Sequence, residues 1–327
     1  MMVFLLLRNA AAALCLLTLL TTACDAAATK TPVLQTTAAT TATVTKAQHA
    51  PPPLTLPNTE VHRLQANGRT YQVWVDLPAS YFQNDKAYPM LLVTDANYSF
   101  PLVRSIRARV GQNGANIEDF VLVGLGYAEG DSPAQSRSRD YTPTNPKKRP
   151  GWDKSSYSAT EYGGAAQHLH YLQHQVLPLL KARYRLDERR FIYAGHSYGA
   201  LFGSYVLFHQ PELFQSYILG SPSFWFDQRE SFRLEQQYAS RAKDLPAQLL
   251  FYVGEYEAIG PAPLFNQERD LVKDMDLMVR TLKSRNYPRL KLQQQVLPGD
   301  DHLTAYPNLI TKALRQLLPG HGPYQRG

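Results

Sequence analysis

From residue 59 onward the apolar positions fall into two kinds of run. Val61-His-Arg-Leu-Gln65 and Thr70-Tyr-Gln-Val-Trp-Val-Asp-Leu77 alternate apolar with polar residues on either side of Asn67-Gly68, the pattern of an antiparallel hairpin. Residues 88–95, 120–126, 191–194, 214–221 and 248–254 are instead apolar at nearly every position, as strands buried on both faces are. Helical spacing fills the gaps between them. It predicts a short helix from about residue 102 to the turn Val110-Gly-Gln-Asn-Gly114, and a long one over 165–184 with Leu169, Leu172, Val176, Leu179 and Leu180 on one face. Further helices are expected at 200–208, 231–241, 270–283 and 303–318, with a last strand at 290–296. Strands alternating with helices predict an α/β fold, a mostly parallel central sheet flanked by helices and opened by an antiparallel strand pair. Residues 127–160, rich in Ser, Arg, Pro and Gly, show neither period and are predicted to be a long functional loop.

The amino-terminal 58 residues belong to a different class of sequence. Residues 1–20 hold one Arg8 ahead of the apolar run Ala10-Ala-Ala-Ala-Leu-Cys-Leu-Leu-Thr-Leu-Leu20, too short for a stable membrane anchor and suited to a secretory signal. Thr21-Thr-Ala-Cys24 resembles the lipobox of bacterial lipoproteins with its leucine one position further upstream. Two fates are therefore open: lipidation at Cys24, or plain cleavage within residues 23–28. Either predicts an exported, periplasmic protein, and Asp25 would favour retention at the inner membrane if Cys24 is lipidated. Residues 25–58, dominated by Thr, Ala and Pro, read as a disordered tether, leaving 59–327 as the catalytic domain. The only other cysteine, Cys15, lies inside the signal, which excludes an intramolecular disulfide, a thiolate metal site and a cysteine nucleophile from that domain. A net charge of +7 favours anionic substrates or surfaces. The Lys and Arg residues are scattered, with Lys147-Lys-Arg149 their longest cluster, which argues against nucleic acid as a partner.

Candidate chemistry concentrates where strands end. Gly195-His-Ser-Tyr-Gly199 follows an apolar strand and precedes a helical run, the setting of a sharp strand-to-helix reversal that lifts the Ser197 hydroxyl out of the sheet. Glycines two residues before and after the serine let the chains pass. The helix's first amides, that of Tyr198 included, face whatever the hydroxyl attacks, and make half of an oxyanion hole. A serine nucleophile needs a base and a group to orient that base. Of the nine histidines, His49 and His62 precede the sheet, His168, His170 and His174 lie on one helix, His196 is held in the turn, and His209 and His321 follow helix ends. His302, in Pro298-Gly-Asp-Asp-His302, remains as the base. Val253-Gly-Glu-Tyr-Glu257 supplies the acid, with Glu257 favoured and Glu255 next, while Asp300 and Asp301 sit too close in sequence to His302 to orient it. His170 and His174 are four apart but lack the intervening glutamate of a metal-binding helix, so no metal is expected.

Taken together, Gly195-His-Ser-Tyr-Gly199, Tyr88-Pro-Met-Leu-Leu-Val-Thr-Asp95, Arg139-Asp-Tyr-Thr-Pro143, Val253-Gly-Glu-Tyr-Glu257 and Gly299-Asp-Asp-His302 resemble the esterase branch of the α/β-hydrolases. That branch holds S-formylglutathione hydrolases, feruloyl esterases and iron-siderophore esterases. The resemblance covers about residues 59–318, and the Arg139 segment is most similar to the enterobactin and bacillibactin esterases. It implies the α/β-hydrolase fold, a cofactor-free serine carboxylesterase, and the chain order nucleophile, acid, base met by Ser197, Glu257 and His302. Relatives often carry Asp-Gly where this chain has Asp95-Ala96, which implies a second oxyanion donor at the amide of Ala96 or Asn97; Asn97 is taken here. Some siderophore esterases of the branch are described as using a Ser–His pair alone, which leaves the need for Glu257 open. The substrate expected is a siderophore trilactone or its iron complex, with Arg139 meeting catecholate oxygens; the alternative is a feruloyl or acyl ester of a sugar or another small molecule.

Overall fold

The computed structural model describes residues 53–151 and 158–322, so the expected signal, Cys24 and most of the expected tether lie outside the described residues. An eight-stranded sheet organises the unit Thr55–Gly327 in the order β1-β2-β4-β3-β5-β6-β7-β8. β1 (Thr59–Ala66) and β2 (Arg69–Asp76) form the antiparallel hairpin, and β2 continues antiparallel onto β4 (Val121–Ala128). β3 (Tyr88–Val93), β4, β5 (Leu186–His196), β6 (Ser216–Gly220), β7 (Gln248–Gly254) and β8 (Lys291–Leu297) run parallel to one another. The reason those strands are apolar throughout is visible in β3 and β5. Met90, Leu92, Phe191 and Tyr193 enter one core layer, and Leu91, Val93, Ile192 and Ala194 enter the other, so successive side chains on opposite faces are all buried.

Helices cover both faces. α1 (Ala96–Arg109) and α8 (Ala305–Leu317) close one side with Phe100, Val103, Leu309 and Ile310. The other side is closed by α3 (Ala165–Tyr171), α4 (Leu177–Arg183), α5 (Tyr198–His209), α6 (Phe226–Arg241) and α7 (Leu271–Ser284). The long helix expected over 165–184 is thus two pieces joined by a wider π-type turn at Leu172–Val176. Pro178 accounts for the break: it lacks an N–H and its ring cannot pack against the carbonyl one turn back, so the preceding turn widens. α1 starts at Ala96 rather than near residue 102, carrying Pro101 within its length.

The stretch 127–160, expected to be a loop, contains α2 (Pro133–Asp140). Ser132 accepts from the Gln135 amide and Gln135 reaches back to the Ser132 amide, with Pro133 at the first position, so the start is capped on every count. Its inward face is polar, with Ser136, Ser138 and Asp140 buried, so no apolar period betrays it. Trp152 and Tyr157 of this stretch lie outside the described residues.

Candidate active site

β5 ends at His196, α5 begins at Tyr198, and Ser197 between them holds φ 58° and ψ −117°. That backbone is nearly reserved for glycine and costs a serine on the order of 1–3 kcal/mol, a strain that persists only where the surroundings fix it. Here the Ser197 amide donates to the Gly220 carbonyl at 2.9 Å while the Ser197 carbonyl accepts from Leu201 at 3.0 Å, pinning both sides of the reversal. A Cβ on Gly195 would stand 2.4 Å from the Gly199 backbone, and one on Gly199 would stand 2.3 Å from the Thr94 hydroxyl. Both glycines are therefore demanded by contact, and the second contact brings the start of α5 against the end of β3. Asp95, which follows, turns left-handed at φ 56° and directs Ala96 and Asn97 into α1. The amides of Tyr198 and of Ala96–Asn97 thus open two helices that start side by side.

His302 presents Nδ1 to Oε2 of Glu257 at 2.6 Å. Glu257 is buried, and its other oxygen accepts from the Ser221 hydroxyl at 2.5 Å and the Gly254 amide at 2.8 Å. With that oxygen occupied, the carboxylate can only accept from the imidazole, so Nδ1 carries the proton and Nε2 is left to act as a base. Glu255 accepts from the Gly299 amide at 2.8 Å and does not reach the ring. Asp300 binds the Asn308 amide, and Asp301 accepts from the Leu303 and Thr304 amides ahead of α8, bonds that hold its carboxyl below the usual range.

His196 buttresses this arrangement. Its Nε2 lies 2.7 Å from the His302 carbonyl, and the two rings sit 4.7 Å apart. Burial, with His302 adjacent, pushes its pKa down to about 3, so it stays neutral and donates to that carbonyl.

Ser197 and His302 line one cavity of about 660 Å³ whose walls include Tyr98, Tyr127, Arg137, Leu303 and Tyr306. Asp95 organises the wall. Its buried carboxylate accepts from Arg137 Nε at 2.7 Å and from the hydroxyls of Tyr127 at 2.8 Å and Tyr98 at 3.3 Å, while its amide meets the Tyr141 hydroxyl at 3.2 Å. Burial and the Asp95 charge both raise the two phenols, which stay protonated as donors. For Arg137 burial opposes the charge, but Asp95 and the two tyrosines outweigh it and raise the guanidinium above its ordinary value.

The family model described as "Putative esterase" matches residues 65–274, more than half of the chain and all of the strands from β2 to β7. This chain belongs to that esterase family. The ferri-bacillibactin esterase BesA of Bacillus subtilis is 26% identical over 277 residues, covering 83% of this chain and 93% of that protein. Among solved structures, the BES protein from Bacillus cereus superposes with a TM-score of 0.67 at 22% identity, over 84% of this chain and 99% of that one. The siderophore hydrolase EstB from Aspergillus nidulans does so with a TM-score of 0.67 at 22% identity, over 85% and 100%. The esterase thus has the expected α/β fold and is a hydrolase of ester bonds.

Not every expected residue lines the esterase's cavity: Asn97 lines a neighbouring hollow with Gln72, Trp74 and Gly126, which shares Tyr127 and Pro133 with it. Arg139, expected to meet substrate, is not in the cavity lining; it donates to Asp131 at 2.5 Å and to both oxygens of Asp140 at 2.9 Å. A guanidinium so engaged braces α2, and the cation of that helix in the cavity wall is Arg137, two residues earlier. Lys147 and Arg149 are engaged as well, with the Ala159 carbonyl and with Asp227 and Glu230. Sequence reasoning also passed over Asp95, Ser221 and His196 as parts of the site. Only Ser221-Pro-Ser223, small hydroxyls at the carboxyl end of a strand, gave a local signal. Among the described residues no cluster of His, Cys, Asp or Glu is arranged to hold a metal ion.

Proposed function

We propose that the esterase is a serine carboxylesterase acting on a siderophore trilactone or its iron complex. In this reading Ser197 Oγ attacks the ester carbonyl and His302 Nε2 takes the hydroxyl proton. The amides of Tyr198 and Asn97 hold the oxyanion, with the neighbouring Ala96 amide close to the same position. Collapse breaks the carbon–oxygen ester bond, and His302 returns the proton to the departing alkoxide. Water then repeats the sequence on the acyl-Ser197 ester, releasing a carboxylate. Glu257 keeps the His302 tautomer right and stabilises the imidazolium. The observation that carries this reading is the His302–Glu257 pair opening onto the cavity that also holds the strained Ser197.

The substrate half rests on the wall. Arg137 is a cation set among the rings of Tyr98, Tyr127 and Tyr306, a lining suited to flat anionic catecholates. The names of BesA and EstB, a ferri-bacillibactin esterase and a siderophore hydrolase, agree with it. A fluorophosphonate probe should modify Ser197, and an adduct on any other residue removes the nucleophile assignment. Ranking enterobactin-type trilactones, feruloyl sugars and short p-nitrophenyl esters by kcat/KM should place the trilactones first. Feruloyl sugars in first place would replace the substrate and leave the esterase chemistry intact. We also propose export to the periplasm with a lipid on Cys24, supported by the leader sequence; palmitate labelling that survives Cys24→Ser would refute the anchor.

A further inference from the structure

β6 ends at Gly220, and the bend that follows it, Ser221-Pro222-Ser223, is fixed at each residue. Ser221 lies in the left-handed region at φ 43°, and its amide donates to the Tyr252 carbonyl of β7 at 2.7 Å. Pro222 has its φ set by the ring, and the Ser223 carbonyl accepts from the Phe226 amide at 3.0 Å where α6 begins. The two hydroxyls of this bend meet opposite ends of the proposed relay. Ser221 donates to Glu257, and Ser223 Oγ lies 3.4 Å from Ser197 Oγ. The Ser223 amide also donates to the Ser197 carbonyl at 3.4 Å. Ser223 is 1% exposed, and among the described residues its hydroxyl has Ser197 Oγ as its one partner.

Burial decides which of the two oxygens donates. Were Ser197 the donor, the Ser223 proton would be left buried without an acceptor, which folded chains avoid. With Ser223 donating, both hydroxyls are served, because Ser197 lines the cavity and its own proton is free to turn toward His302. We propose that Ser223 is a hydrogen-bond donor to the nucleophile and stabilises Ser197 Oγ as it leaves the acyl-enzyme. This rests on the reading of Ser197 as nucleophile and adds a residue to it. In deacylation water adds to the acyl carbon and its proton passes to His302 Nε2. The carbon–Oγ bond then breaks with its electron pair staying on Oγ, and His302 returns the proton there. Ser223 keeps its own proton throughout. The resting contact is long, and a hydroxyl facing an oxygen that gathers negative charge draws in to ~2.6 Å. The ester oxygen of an acyl-enzyme is a poor acceptor, whereas the free serine hydroxyl is a better one. Deacylation therefore starts without this bond and gains it in the transition state, while acylation starts with it partly made and gains less.

Ser223→Ala tests this with p-nitrophenyl acetate, whose good leaving group makes acylation the faster step. For such a substrate kcat reads deacylation and kcat/KM reads acylation, while intact mass gives the fraction of enzyme carrying acetyl on Ser197 during turnover. The variant should lose about tenfold in kcat, the worth of one hydrogen bond, with kcat/KM held to within about threefold. KM should fall with kcat, so at substrate below the wild-type KM acetyl-Ser197 should accumulate. Removing a serine that only supports the fold would instead lower kcat and kcat/KM in equal proportion. That outcome overturns the proposal, and so does a kcat that does not fall. A fluorophosphonate adduct mapped in both proteins keeps the two readings apart. With the adduct on Ser197, an unchanged kcat defeats the role of Ser223 alone; an adduct elsewhere in the wild-type protein removes the nucleophile and this inference with it.

Discussion

Replacing Glu257 by Gln changes one atom in the site and tests how His302 is held. The glutamate's Oε1 faces the Gly254 amide at 2.8 Å, a fixed donor that can be met only by an acceptor. The glutamine must therefore keep its carbonyl oxygen there and turn its NH₂ toward His302 Nδ1, now 2.6 Å from Oε2. Facing a donor, Nδ1 becomes the acceptor and the ring proton moves to Nε2, the nitrogen that should receive the Ser197 proton. The base is then in the wrong tautomer, which is expected to lower kcat by ~10³–10⁴, about 4–5.5 kcal/mol of barrier. Ser221 can rotate its hydroxyl and the Gly254 bond is kept, so stability should change by no more than ~1 kcal/mol. The assay is kcat on a p-nitrophenyl ester with a thermal melt on the same sample, and Glu255→Gln as the control with a mild effect. A fall of less than about tenfold in kcat would mean that Ser197 and His302 suffice as a pair and that the carboxylate does not set the tautomer.

Ser197→Ala and His302→Ala should each cost on the order of 10³ or more in kcat, and the double variant little beyond that, because the two act as one unit; additive losses would argue against it. Arg139→Ala should strip the buried Asp140 of its cation and destabilise the fold by about 3–5 kcal/mol in a denaturant melt. Siderophore and neutral ester turnover should then fall together, and a loss confined to the siderophore would restore Arg139 as a ligand residue. His196 takes up its proton near pH 6.5 when unfolded but only near pH 3 when folded, so the unfolded state binds more protons between those values. Stability should accordingly drop as pH falls through that window, by up to about 1.4 kcal/mol per pH unit from this residue, and His196→Gln should flatten the slope of the melts.

How much could be read in advance depended on whether the cause was local. The parallel strands announced themselves because burial on both faces leaves no polar position, and the Gly195–Gly199 reversal because two absent Cβ atoms are a local demand. His302 and Glu257 were reachable as residues that follow strand ends, although only the structure shows which oxygen meets which nitrogen. α2 escaped because its buried face is Ser136, Ser138 and Asp140, and hydrophobic period is blind to a helix held down by hydrogen bonds. Arg139 was misjudged for a related reason. Its partner Asp131 and the Tyr71 hydroxyl beside it come from other elements, and no spacing in the chain foretells that meeting. Asp95 is the same case on a larger scale, gathering side chains from α1, β4 and α2.

The lodging of Glu257 has a consequence for how the enzyme fails. Its anchors are the last residue of β7 and the residue just past β6, so the acid sits astride the seam between two neighbouring strands. A relative slip of those strands by even a fraction of a hydrogen-bond length would move the carboxylate, and with it the imidazole, off line. If Glu257 orients His302 as proposed, catalytic competence is a strain gauge glued across the sheet. On heating, hydrolysis should disappear in the same transition that melts the strands, with no inactive but folded plateau before it, and a rescue of activity by any distant stabilising change should track the recovery of the β6–β7 ladder.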